Sequence, residues 1–275
     1  MTKKIILISL FILSSCSIEK IAIKKTSNII DQGMTSIFKE EDIQYVKEAM
    51  PANLELIEIL IANHKDDKLL LNAAIGFCGY AWAYLEDYDN QRASYFYQKG
   101  IAYSNMLMEK KKITDSDNSP LKKEDAKVLF WNTFCKSGLV NINRDNPEIL
   151  ASLSEIEEQA LKISKIEPNY FYNSNYTLLA SYYASKPEML GGNFKKSKEL
   201  FEKAITENGK DFLLNYLMYA KTYAVMTQNK KLFDELIEKI ENFEIQKDEK
   251  TFFNKIAIEK SRRLKEKENE LFEEN

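Results

Sequence analysis

The sequence predicts an all-α protein built from stacked helical hairpins. Three observations carry this reading. The 275 residues include only 8 glycines and 5 prolines, few breakers in a chain whose Lys, Glu, Leu, Ile and Ala favour helix. From Glu40 onward apolar residues recur at helical spacing, and after Gly209 there is neither Gly nor Pro. No stretch alternates apolar and polar residues between turn signals as a strand would.

The first 35 residues stand apart. Met1-Thr2-Lys3-Lys4 is a short basic head, Ile5 to Leu13 is an apolar run, and Ser14-Ser15-Cys16 follows. The run is too short for a stable span, and small residues close it, which is the layout of an export signal. Leu13-Ser14-Ser15-Cys16 resembles the lipobox of bacterial lipoproteins. That resemblance implies cleavage before Cys16 and attachment of lipid to it. Residues 1–15 are therefore expected to be a lipoprotein signal peptide, and 16–35 a lipid anchor and tether. Residues 36–275 are expected to form one helical domain, held outside the membrane in the periplasm by its acyl chains.

Beyond the tether, punctuation falls at Met50-Pro51, Asp115 to Pro120, Asp145-Asn146-Pro147, Glu167-Pro168, Lys186-Pro187 and Gly191-Gly192. These divide the chain into helices. Tyr176, Leu179, Ala180 and Tyr183, followed by Ser197, Phe201 and Ala204, fit the two helices of a TPR unit. Small residues stand where the pair touches and large ones beside them. Tyr216, Tyr219, Ala220 and Tyr223, then Leu232 and Leu236, fit another. Weaker frames are Cys78-Gly79-Trp82 with Ala93-Tyr97-Gly100, and Phe134-Ser137-Gly138 with Ala160. The expectation is an α-solenoid of about four TPR-like hairpins. A C-terminal capping helix follows within Ile245 to Asn275, carrying Phe252, Ile256, Leu264, Leu271 and Phe272 near one face and fraying at its end.

Charge and composition exclude several functions. A net charge of −3 gives no footprint for nucleic acid. His64 is the single histidine, so neither a Cys/His zinc cluster nor a catalytic triad built elsewhere is available. It sits in polar Asn63-His64-Lys65-Asp66-Asp67, which reads as a loop. The acid pairs Glu40-Glu41 and Glu157-Glu158 are adjacent on helices, so they diverge and read as solvated faces. No cofactor, metal or catalytic motif is recognisable, and the expectation is a binding protein rather than an enzyme. Cys78 and Cys135 lie in apolar helical sequence. An exported protein can pair them, but spacing alone does not say whether they meet. The expectation is two buried free thiols acting as small hydrophobes.

In TPR folds the first helix of each pair faces an inner groove. The frames place Tyr80, Tyr84 and Asn132 there from the first two hairpins. Ser174, Thr177 and Ser181 come from the third, and Leu214, Leu217 and Lys221 from the fourth. Lys221 is the one charge among these, so the lining suits a small apolar or amphipathic guest. The alternative is that these small residues simply let neighbouring helices approach.

Several stretches together resemble one family. They are Glu40-Glu41-Asp42 leading to Ala49-Met50-Pro51-Ala52, Gly76-Phe77-Cys78-Gly79-Tyr80-Ala81, Tyr97-Gln98-Lys99-Gly100 and Leu129-Phe130-Trp131. The most specific is Lys186-Pro187-Glu188-Met189-Leu190-Gly191-Gly192 followed by Phe201-Glu202-Lys203-Ala204. In order and spacing these resemble the TPR-containing T component associated with TRAP transporters, over nearly all of the mature chain. The resemblance implies a periplasmic lipoprotein that partners a TRAP solute-binding protein, the P component, and passes small ligands to it for import. It adds self-association as an expectation on which the residues are silent. Gly191 and Gly192 form the family motif, and turn chemistry alone explains two glycines between helices. The competing reading is a periplasmic scaffold for envelope protein assembly without a small-molecule ligand.

Overall fold

The computed structural model describes residues 2–113, 120–186 and 188–272, and side chains from residue 18 onward apart from 19 and 190. The described residues are helical, with no strand. In chain order the helices are α1 (Thr2–Phe38), α2 (Ile43–Asn63), α3 (Asp67–Tyr80), α4 (Asn90–Lys110), α5 (Asp125–Ile142), α6 (Pro147–Leu150) and α7 (Leu153–Ile166). Then come α8 (Ser174–Ala184), α9 (Phe194–Ala204), α10 (Leu213–Met218), α11 (Lys230–Glu241), α12 (Thr251–Glu266) and α13 (Glu268–Leu271). Helices α3 and α10 each run on into a π-helical segment, Ala81–Leu85 and Tyr219–Ala224.

Side-chain caps start these helices where the sequence offers Asp or Asn. Asp42, Asp66, Asp89, Asn146, Asn193 and Asn229 each accept from backbone N–H groups of the first turn. Each cap satisfies donors that the helix itself leaves unpaired. Pro147 stands in the first turn of α6, where its missing N–H costs nothing. Met50-Pro51 is not a break: α2 runs through Pro51. The lost hydrogen bond is offset by burial of Val46, Met50, Leu54, Ile57 and Ile61 along one face packed on α3.

Four hairpins stack in order, α3/α4, α5/α7, α8/α9 and α10/α11, with α12 after them. The first helices form an inner row in which α3 meets α5, α5 meets α8, α8 meets α10, and α10 meets α12. The row curves until α12 also packs on α1 and α2. The stack therefore closes on itself. Lys260 of α12 seals the closure by donating to Trp82 O (2.9 Å) and Asp87 Oδ2 (2.6 Å) at the end of the first inner helix.

Two expectations are corrected here. Residues 17–35 are not a loose tether. They continue α1, whose Ile23, Ser27 and Met34 are buried against the body; Ser27 Oγ donates to Asp66, and Asp31 pairs with Lys68 at 2.8 Å. The buried cysteines are not free thiols. Cys78 of α3 and Cys135 of α5 form a disulfide, their Cα atoms 5.4 Å apart. The inner row brings them together, which spacing along the chain does not reveal. The C-terminal segment stays packed through residue 272, where Phe272 packs on Phe233 and Gln228 donates to Leu271 O, and the end expected to fray lies outside the described residues.

Candidate functional site

A large cavity opens at the end of the stack where α5 and α12 begin and α1 and α7 end. It has a volume of about 840 Å³. Its floor is aromatic: Phe38, Tyr170, Phe171 and Tyr172. Its rim is charged, with Lys123, Lys127, Glu167, Lys210, Asp211 and Lys250 among the lining residues. Lys123 and Glu167 pair at 2.6 Å, and Lys250 lies 5.8 Å from the Tyr172 ring centroid. Burial, with Glu249 and Asp248 nearby, pushes the Tyr172 phenol up to about 12. Its hydroxyl is therefore a neutral donor throughout the physiological range.

The floor is set by an unusual backbone. Phe171, Tyr172 and Asn173 have φ of 49°, 56° and 66°, a left-handed turn that costs L-residues about 1–2 kcal/mol each, Asn least. The surroundings hold it. Asn173 Nδ2 donates to Thr206 O at 2.9 Å, and Asn215 Nδ2 donates to Tyr172 O at 2.8 Å and Ala204 O at 3.1 Å. The Phe171 ring sits among Phe38, Phe130, Trp131, Phe212 and Phe253, with centroids 5.1–6.5 Å away. Strain held this firmly concentrates at ligand sites. Asn215 also accepts from Ser174 (3.2 Å) and Thr177 (2.7 Å) while fully buried. Asn215→Ala strands these groups and is expected to cost about 2–3 kcal/mol. Thermal denaturation reads the loss, and altered near-ultraviolet dichroism reads the released aromatic floor.

A small apolar cavity of about 20 Å³ lies behind Phe38. Phe38 also lines the large one, so its ring stands between them. Tyr80 and Tyr84 line the small cavity, their hydroxyls donating to Lys47 O (3.3 Å) and Ile43 O (2.6 Å) of α2. A further cavity of about 390 Å³ lies at the opposite ends of the inner helices. It is lined by Glu86, Asp87, Asn141, Arg144, Asp145 and Lys221.

The structure disperses the residues that the hairpin frames assign to a groove. Lys221 lines the 390 Å³ cavity, 3.9 Å from Glu86. Asn132 is buried and donates to Ser104 Oγ and Asn105 Oδ1, both at 2.8 Å. Ser174 and Thr177 are buried on Asn215, and Leu214 and Leu217 lie in the core. Ser181 is partly covered on α8 and its Oγ is buried. None of these lines the large cavity. Ser174 and Thr177 join inner helices α8 and α10, and Asn132 joins α5 to α4, the role that polar residues at helix contacts serve. The aromatic floor was missed because Asn169-Tyr170-Phe171-Tyr172-Asn173 reads locally as a loop. Its one signal is the density of rings directly after Pro168.

Other predicted positions are also placed. Gly191 has φ +86° and ends the turn Glu188–Leu190, a conformation only glycine adopts freely. Gly192 follows it before α9, and Met189 of the same turn is 89% exposed. Glu157 is not on a solvated face: it accepts from Tyr182 (2.7 Å) and Tyr183 (2.5 Å). Pro187 and the side chain of Cys16 lie outside the described residues. Among the described residues no helix is long and apolar enough to cross a membrane.

Comparison with curated proteins finds no match. Comparison with family models finds the TRAP transporter T-component, matched over residues 39–272. That match spans α2 to α13, including the disulfide, Lys260 with its partners and the lining of the aromatic-floored cavity apart from Phe38, and the chain belongs to the TRAP transporter T-component family.

Proposed function

We propose that this T component is a periplasmic, lipid-anchored protein that docks with a TRAP solute-binding protein, the P component. It holds a small apolar or amphipathic ligand in the aromatic-floored cavity for import. The observation that carries the reading is the family match across nearly the whole helical body. The cavity supports the ligand class. Its volume lies in the range of small-molecule sites, its floor takes an apolar portion, and its lysine and carboxylate rim takes a polar end. The lipobox-like Leu13-Ser14-Ser15-Cys16 supports attachment to the envelope. Export also agrees with the disulfide, which persists in an oxidising compartment.

The test is affinity capture of the full chain from its native envelope, followed by native mass spectrometry. The expected result is a TRAP-type solute-binding protein in near-stoichiometric amount. A small added mass is expected on the T component, and Phe171→Ala should diminish it. Recovery of envelope-assembly proteins instead, with a clean protein mass and no solute-binding protein, would leave the scaffold reading in its place.

A further inference from the structure

Helix α1 ends at Phe38, before the family match, which begins at residue 39. Its described part has two unlike faces. One is buried on the body through Ile23, Ser27 and Met34. Ser27 donates to Asp66, Asp31 pairs with Lys68, and Asn72 donates to Asp31 at 3.5 Å. These contacts fix the rotation of the helix. The opposite face carries Ile18, Ile21 and Ile29, which are 64%, 56% and 68% exposed. Lys25 is exposed within this row and Lys24 beside it, and Lys20 is exposed just ahead of Ile23, the first of the residues buried on the body. At 100° per residue, Ile18, Ile21, Lys25 and Ile29 fall within about a quarter of the helix circumference. The acidic residues of this stretch are Glu19 and Asp31, and Asp31 is already paired inward.

An exposed row of isoleucines flanked by lysines on a helix held rigidly by its other face matches an interfacial helix on an anionic bilayer. Two features argue for that occupant over a protein. The lysines complement anionic headgroups. The row also begins two residues after Cys16, so a lipid on Cys16 would leave Ile18 about 3 Å further along the helix. We propose that the outer face of α1, from Ile18 to Ile29, lies on an anionic lipid surface and sets the orientation of the whole stack against the membrane. This rests on the lipid-anchored reading of Cys16. A lipid alone would restrain one point and leave the body free to rotate. A docked α1 turns that point into a line of contact.

The test uses the full chain, purified from membranes and reconstituted into vesicles of phosphatidylcholine and phosphatidylglycerol at 7:3. Nitroxides are placed singly at Ile21→Cys, Ile29→Cys and, as a solvent-exposed control on α2, Asn53→Cys. Accessibility to oxygen and to a nickel chelate is read by power saturation, and mass spectrometry reads acylation of Cys16. Labels at 21 and 29 are expected to favour oxygen over the nickel chelate several-fold, with the order reversed at 53. Pure phosphatidylcholine, or Lys20→Glu with Lys24→Glu and Lys25→Glu, is expected to move both labels toward the behaviour of the control. Labels at 21 and 29 as water-exposed as the control on an acylated chain would overturn the proposal. If Cys16 proves unacylated, the anchor reading fails by itself, and sedimentation with the same vesicles decides the face. Retention on anionic but not neutral vesicles supports it, and no retention on either overturns it.

Discussion

Replacing both cysteines, Cys78→Ala with Cys135→Ala, is expected to destabilise the protein by about 4 kcal/mol. The bridge closes a loop with a sequence separation of 57, and loop-closure entropy at that length gives a value of this size. For a chain of this length the melting temperature should fall by roughly 10 °C. The bridge links inner helices α3 and α5 under α4, where Gly100 makes room for it: a Cβ on Gly100 would overlap Cys78 Sγ. Calorimetry with and without reductant checks the prediction. Reductant should bring the wild-type protein down to the double variant and leave the double variant unmoved. Gly100→Ala should destabilise the oxidised wild-type protein more than the double variant, because removing the sulfurs removes the atoms it strikes. Equal melting temperatures for the wild-type protein and the double variant would show that the bridge contributes nothing.

What was legible in the sequence was the pairing of helices, because the residues that let two helices touch are small and recur. Ala180 and Ala204 are fully buried where α8 meets α9, and Ala93 and Gly100 line the face of α4 turned to α3 and α5. Those contacts are local, so their spacing survives in the chain. Contacts made by closing the stack do not. The α1 face turned to the body has a buried serine, Ser27, in the middle of its apolar row, and the row therefore reads as a polar linker. Cys78 and Cys135 look alike whether paired or free until two inner helices are placed side by side. The groove assignment depended on which way each inner helix is rotated. Thr177 and Ser174 turn toward Asn215 rather than toward an open space. The cavity floor depends on three successive left-handed residues at Phe171, Tyr172 and Asn173. Only the asparagine tolerates that geometry readily, so no local pattern announces it. Lys260 is the plainest case. Glu259-Lys260-Ser261-Arg262-Arg263 has the look of a solvent-facing turn, yet Lys260 is 5% exposed because its partner lies 173 residues earlier.

Lys260→Met is the second large effect, expected at about 3 kcal/mol. Removing one member of a buried ion pair leaves the other desolvated, which costs more than the pair contributes when whole. Asp87 would keep Arg263 at 3.2 Å, which holds the loss near the low end of the range for such pairs. Trp82 O would lose its bond from Lys260 as well. The loss should be local before it is global. Amide exchange should quicken along α12 and at Ala81–Leu85 while α8 and α9 keep their protection. The double variant Asp87→Leu with Lys260→Met should recover part of the stability, since Asp87 is then no longer stranded, Arg263 keeps Glu259 and Glu86 keeps Lys221. The same pair sets an acid limit. Burial alone would raise the Asp87 pKa, but Lys260, then Lys221 and Arg263, draw it below its ordinary value of 3.8. A depressed carboxylate contributes its full stabilisation above that value, and the contribution is lost as pH falls below 3.8 through the folded pKa. Burial lowers the Lys260 pKa from 10.5, but lysine is protonated in both folded and unfolded chains in acid, so it adds no slope there. Stability of the wild-type protein should therefore drop more steeply below pH 3.8 than that of Asp87→Asn. Because α12 carries Phe253 against Phe38 and Phe171, opening this closure should also loosen the aromatic floor at the far end of the same helix. A Lys260→Met protein with unchanged exchange in α12 would show that packing alone closes the stack.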